Sequence, residues 1–172
     1  MDKIRIAGVS GESVVDGPGL RFVVFAQGCL HRCRGCHNPE SWDPGAGYEF
    51  LVKELLDDIY SNPLIRGVTL TGGDPFLQAA PMAALAAGVR QMGKDIITYT
   101  GYTWEQLLDM AAKEEGVKSL LHNTDILVDG PYIHELRDLK LVFRGSKNQR
   151  VIDVRASIRA DAVVEINWQS GS

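Results

Sequence analysis

The chain has 172 residues, 45% hydrophobic and 23% charged, the balance of one ordinary globular domain with enough apolar material for a core. Its net charge of −4 gives no global basic field for nucleic acid, and no apolar run approaches the ~20 residues of a membrane helix. The first residues, MDKIRIAGVSGES, lack the apolar stretch of a signal peptide, so the cytoplasm is the expected compartment.

Along the chain, Lys3–Val9 alternates and is predicted as an edge strand. Arg21–Gln27 (RFVVFAQ) is β-branched, aromatic and apolar, the pattern of a buried strand. A Cys-, Gly- and Pro-rich loop follows, from Gly28 to about Gly47. The periodicity of Tyr48–Tyr60 predicts a helix with Phe50, Leu51, Leu55 and Ile59 on one side. Gly67–Thr71 is a short strand stopping at Gly72 and Gly73. Ala79–Met92 is predicted helical, Asp95–Thr100 a strand, and Thr103–Lys113 a helix that Thr103 and Gln106 can open as a capping box. Asp125–Asp129 and Lys140–Phe143 complete the predicted strands. Residues 155–172 carry no motif, and Gln169, Ser170, Gly171 and Ser172 are expected to be disordered.

Alternating strands and helices predict βαβ units on a mostly parallel sheet, with one domain over 1–172 and its core over about 16–153. Ligands in such sheets sit at the carboxyl ends of strands. The loops after Arg21–Gln27, Gly67–Thr71, Asp95–Thr100 and Asp125–Asp129 hold the informative residues, so one site is expected along that edge.

All three cysteines, Cys29, Cys33 and Cys36, fall within eight residues of that first loop. An odd, clustered count argues against a disulfide framework and for a metal or redox site. Three small hydrophobes on a helical face fit the 0, 4, 7 spacing, but the intervening Arg, His and Gly and the nearby Pro39 do not suit a buried helix. Structural zinc needs four ligands, which His31 or His37 could complete; the chain lacks the second, separated ligand pair that zinc folds commonly use. A [4Fe–4S] cluster held by three thiolates keeps one iron without a protein ligand, an open position for a substrate.

The Cys29-x3-Cys33-x2-Cys36 spacing resembles the signature of the radical S-adenosylmethionine enzymes. Thr71-Gly72-Gly73-Asp74-Pro75 resembles their second motif, with Asp74 where Glu is common. Most of the chain is similar to one subgroup, the activating proteins of anaerobic ribonucleoside-triphosphate reductase. The matching segments are Asp16–Arg21, Cys36-His37-Asn38 with Trp42, Thr71–Pro75, Tyr99–Thr103, Asp125–Gly130 and Phe143–Gln149.

The resemblance implies a partial, open (β/α) barrel, with one [4Fe–4S] cluster on the three cysteines and S-adenosylmethionine bound at its open iron. Contacts to that cofactor would come from Gly35, Cys36, His37, Gly72, Gly73, Asp74 and Asp129. Gly35 stands where many superfamily members place an aromatic against adenine, so adenine would rest on His37 or the backbone near Cys36. One electron would split the cofactor into methionine and a 5′-deoxyadenosyl radical, which would take a Cα hydrogen from a glycine of the large anaerobic reductase subunit. Flavodoxin or ferredoxin would supply the electron.

Three alternatives accompany this reading. Cys36-His37-Asn38 also resembles activators of pyruvate formate-lyase; short small-molecule radical enzymes exist; and a zinc-stabilised binding module needs only one His beside the cysteines. Other expectations are plainer. Asp129 suits capping as well as a cofactor contact, and Asn38 suits bracing of its loop. Trp42 suits packing, Arg32 and Arg34 a solvated face or an acidic electron donor, and His122 and His134 structural roles.

Overall fold

The computed structural model describes residues 2–37 and 39–167, so the expectations for Asn38 and for Gln169 to Ser172 lie outside the described residues. In chain order the elements are β1 (Lys3–Ser13), β2 (Arg21–Ala26), β3 (Tyr48–Leu51), α1 (Val52–Tyr60), β4 (Gly67–Gly72), α2 (Ala79–Gln91), β5 (Asp95–Tyr99), α3 (Trp104–Ala111), α4 (Glu115–Asn123), β6 (Ile126–Asp129), β7 (Arg150–Asp153) and α5 (Val154–Ala160). They form an α/β fold on one mixed sheet of order β3-β1-β2-β4-β5-β6-β7.

The centre of the sheet, β2-β4-β5-β6, is parallel, whereas β1 pairs antiparallel with β2 and β3, and β7 antiparallel with β6. Alternation along these strands sorts the two faces. Phe22, Val24, Ala26, Val68, Leu70, Ile96 and Leu127 join the helix-side core, where Met82, Leu85, Ala86 and Val89 of α2 are buried at helical spacing. The opposite face holds Arg21, Val23, Thr69 and Ile97, all buried. Residues 14–20 cover it: the Thr69 hydroxyl donates to the Asp16 carbonyl at 2.7 Å, and the buried Arg21 guanidinium donates to Thr69, Pro18 and Val68. Gly17 permits that close approach, because a Cβ there would lie 2.6 Å from the Ile97 side chain.

The predicted strands at 21, 67, 95 and 125 and the helices at 79 and 103 stand within a few residues of their predicted ends. Five expectations change. The sheet is mixed, not mostly parallel, because the flanking strands add three antiparallel pairings to the three parallel ones. The strand at Lys3 is not an edge: it lies between β2 and β3, and Tyr48–Leu51 forms the edge. Those four residues follow helical periodicity, but pairing with the outer side of β1 overrides it, and α1 starts where Leu51 N–H donates to Glu54 at 2.9 Å. Lys140–Phe143 is not a strand: Lys140 N–H donates to the Asp138 carboxylate, Leu141 N–H to the Asp138 carbonyl, and Phe143 has φ 60°. The last strand is instead Arg150–Asp153, too short and too charged at both ends to carry a clear period. Residues 154–160, where no motif was read, form α5, opened by Asp153 accepting from Ala156 N–H.

Two substitutions should separate core packing from local capping in chemical unfolding. Met82→Ala, at a fully buried position, should cost about 2–5 kcal/mol. Thr103→Ala, which removes the acceptor for Gln106 N–H, should cost about 1 kcal/mol.

Candidate functional site

A cavity of about 380 Å³ opens at the carboxyl edge of the parallel strands. Cys29, Cys33, Cys36 and His37 border it from the loop after β2, and Thr71, Gly72 and Gly73 from the end of β4. Tyr99, Thr100 and Gly101 border it at the end of β5, and Gly130 and Tyr132 after β6. The four loops expected to converge therefore share one cavity. Asp16 and residues 143–145 close its remaining sides.

The cysteine loop is clamped where it begins. Gly28 N–H donates to the Ser41 carbonyl at 2.6 Å and Cys29 N–H to that of Trp42 at 3.1 Å. Beyond, the chain turns through left-handed conformations at Arg32 (φ 49°) and Gly35 (φ 75°), and Cys36 N–H donates to the Cys33 carbonyl at 3.1 Å. Gly35 does not border the cavity; a Cβ on it would lie 2.5 Å from His134 Nδ1, so the glycine lets this loop rest on residue 134. The Arg32 guanidinium lies 5.7 Å from the Trp42 ring centre, consistent with a packing role for that tryptophan. Burial pushes the Cys29 and Cys33 thiols above their ordinary pKa, and the Asp74 charge adds to this. A cation binding these sulfurs must therefore displace protons.

Asp74 is 1% exposed and does not border the cavity. Its carboxylate accepts from Phe76 N–H at 3.0 Å, the Thr100 hydroxyl at 2.9 Å and Gly101 N–H at 3.0 Å, and it meets His31 Nε2 at 2.6 Å. His31, between two cysteines, packs its ring edge-on against Tyr102, with centroids 4.5 Å apart. Asp74 thus ties the ends of β4 and β5 to the cysteine loop instead of facing the cavity. The adjoining glycines bring backbone to backbone: Gly73 N–H donates to the Ala26 carbonyl at 2.7 Å, and Asp74 N–H to that of Gly28 at 2.8 Å.

Asp129 is also buried and outside the lining. It accepts from Trp104 N–H at 2.8 Å at the start of α3, and binds the Arg150 guanidinium at 2.6 and 3.1 Å. Arg150 also reaches Glu105 at 2.8 Å, and that bond holds the Glu105 carboxyl below its usual range. Capping is the duty the structure gives Asp129. His37 does border the cavity, with its ring 5.6 Å from that of Tyr132. His122 is exposed, and His134 meets the Tyr132 hydroxyl and Arg137.

Several site residues were marked in the sequence only by their place in a resembling segment, with no role read for them. Tyr99 donates its hydroxyl to the Phe143 carbonyl at 2.6 Å, and burial pushes its phenol pKa well up. Gln149 accepts from Gly145 and Ser146 N–H and donates to the Gly130 carbonyl at 3.1 Å, which fastens the far wall to the end of β6. Asp16 was visible as the start of a turn and of a resembling segment, and Tyr132 only as a member of a strand-end loop. Among the described residues, no three His, Cys, Asp or Glu side chains converge as one metal ion requires.

Asp74→Ala should lower stability by about 1–3 kcal/mol, because buried donors lose their acceptor. It should also speed amide hydrogen exchange at Gly101 and across residues 29–36, whereas Asp74→Asn should restore part of the protection. Unchanged exchange at those amides would remove Asp74 as the link between the loops.

The family model described as "4Fe-4S single cluster domain" matches residues 15–152. Among curated proteins, the anaerobic ribonucleoside-triphosphate reductase-activating protein of Vibrio cholerae is 35% identical over 145 residues, covering 79% of this chain and 89% of that protein. The protein of the same name from Escherichia coli K12 is 35% identical over 150 residues, covering 83% and 94%. That of Enterobacteria phage T4 is 38% identical over 144 residues, covering 80% and 86%. A cysteine loop on a shared strand-end cavity, a cluster-domain match across it and relatives of one name over most of the chain agree: the chain belongs to the family of anaerobic ribonucleoside-triphosphate reductase-activating proteins.

Proposed function

We propose that Cys29, Cys33 and Cys36 hold one [4Fe–4S] cluster with an iron left open to S-adenosylmethionine, and that the chain thereby forms a glycyl radical on the large anaerobic reductase subunit. One observation carries this reading: the three thiols, from one loop, border a single cavity at the carboxyl ends of the parallel strands. In a cubane each ligated iron takes one thiolate, so three cysteines leave the fourth iron without a protein ligand. The relatives' shared name favours the reductase over pyruvate formate-lyase as the protein activated.

When bound, the cluster supplies one electron for cleavage of S-adenosylmethionine into methionine and a 5′-deoxyadenosyl radical, which is able to take a glycine Cα hydrogen. The chain's own residues bind and orient. Gly73 has committed its N–H to Ala26, so the group it offers a ligand is its carbonyl. Gly72, beside it on the cavity edge, lets the end of β4 lie close against β2, since a Cβ there would lie 2.5 Å from Ala26 N. His37 and the backbone near Cys36 would flank an adenine; the His37 ring lies 5.6 Å from that of Tyr132 on the cavity wall, which supports this. Gly35, Asp74 and Asp129 act from behind the cavity: Gly35 seats the loop on His134, Asp74 holds His31, and Asp129 holds the start of α3.

The open sheet fits a partial barrel. Chain segments 14–20 and 131–149, not further strands, close the cavity, which leaves a mouth through which a protein loop can enter. An external one-electron donor, flavodoxin or ferredoxin in character, completes the reaction.

Protein prepared without oxygen should be brown and contain about four iron and four sulfide per chain. Cys33→Ala should lose most of both; a colourless chain holding about one zinc would refute the cluster. Mixed with the reductase, a reductant and S-adenosylmethionine, the loaded chain should produce a glycyl-radical EPR signal on the reductase. Methionine release without that signal would count against the proposed substrate.

A further inference from the structure

Around the cavity mouth the chain's charge reverses. Residues 28–37 and 131–149 together hold six Lys or Arg and two Asp or Glu, while the rest of the chain holds 12 and 20. The two segments touch: Arg34 pairs with Glu135 at 3.1 Å, and Gly35 rests against His134. Arg32, Arg34, Arg137, Lys140 and Lys147 are exposed on them, and Arg144 borders the cavity itself. Large apolar side chains are exposed in the same neighbourhood. Leu139 is 98% exposed on the turn made by Asp138, and Val14 and Val15 are 71% and 75% exposed on the segment that lines the cavity at Val15. Lone exposed hydrophobes are ordinary on a protein surface. Here three of the chain's most exposed stand with a basic cluster on segments that frame one opening, the composition of a protein-docking rim.

We propose that this rim receives an acidic segment of the reductase, with apolar side chains among its carboxylates, and so brings the substrate glycine over the cavity. The inference rests on the reading of the reductase as substrate. The rim spans the cysteine loop and the stretch 137–147, which is paired back onto the cavity-bordering residues 143–145, so an occupant that reaches both lies across the opening; an electron donor needs only to approach the cysteine loop. Complementary charge of this kind acts mainly on the association rate and makes binding depend on salt.

The test measures binding of the intact, cluster-loaded chain to the reductase at about 50 and about 300 mM salt. Lys140→Glu with Lys147→Glu should weaken binding about tenfold or more at the lower salt and flatten the salt dependence. Leu139→Ser should weaken binding at both. Lys53→Glu with Lys118→Glu, on α1 and α4, makes the same change in net charge and should leave binding within twofold. Methionine release driven by a chemical reductant should be unchanged in the rim variants. Undiminished binding of those variants, an equal loss in the helix variants, or a defect confined to reduction by a protein electron donor would overturn the rim as the reductase site. A wild-type chain that releases no methionine would fail the functional reading instead, and the binding measurements would still decide the rim.

Discussion

The buried carboxylate of Asp74 gathers His31, Phe76, Thr100 and Gly101 around one charge, and the arrangement of the site depends on it. These partners come from three pieces of the edge: the cysteine loop, the turn after β4, and the end of β5. A carboxylate with almost no solvent contact must be satisfied by such donors, since an unpaired buried charge is costly. The same need makes it a strong organiser. It holds a loop rich in glycine and left-handed conformations that has little hydrophobic burial of its own.

Behind this junction the fold contributes direction. Four parallel strands point their carboxyl ends the same way, and the loops leaving them cannot avoid meeting. The antiparallel strands at both flanks close the sheet without extending the site edge. Residues 14–20 then fill the face that the helices leave open, and Gln149 and Tyr99 fasten the far wall. The chain surrounds a cavity with few strands by using loops whose backbone groups are individually paired.

Charge is distributed with similar economy. Outside residues 28–37 and 131–149 the chain holds 12 Lys or Arg against 20 Asp or Glu, whereas the cysteine loop and the segment that rests against it at His134 are basic. Arg150 shows the other use of a cation: it links Asp129 and Glu105 and so joins β7 to the start of α3 without any part in the cavity.

Much of this was readable from the amino-acid order alone. Strong apolar runs at 21, 67, 95 and 125 determined the parallel core, because such runs can be buried only on a covered sheet. The 0, 4, 7 cysteine spacing and the glycine-rich strand ends determined where the site lies. Tertiary structure decided the rest. Tyr48–Leu51 became a strand because β1 offered an unpaired side, and Arg150–Asp153 became one because β6 did; neither partner is local in sequence. Asp74 stood in a cofactor-like motif and Asp129 suited capping as well as a cofactor contact; both turn inward, since the direction a carboxylate faces depends on distant donors such as His31, Thr100 and Trp104. Local patterns specify elements and their chemistry; only long-range packing assigns each polar group its partner.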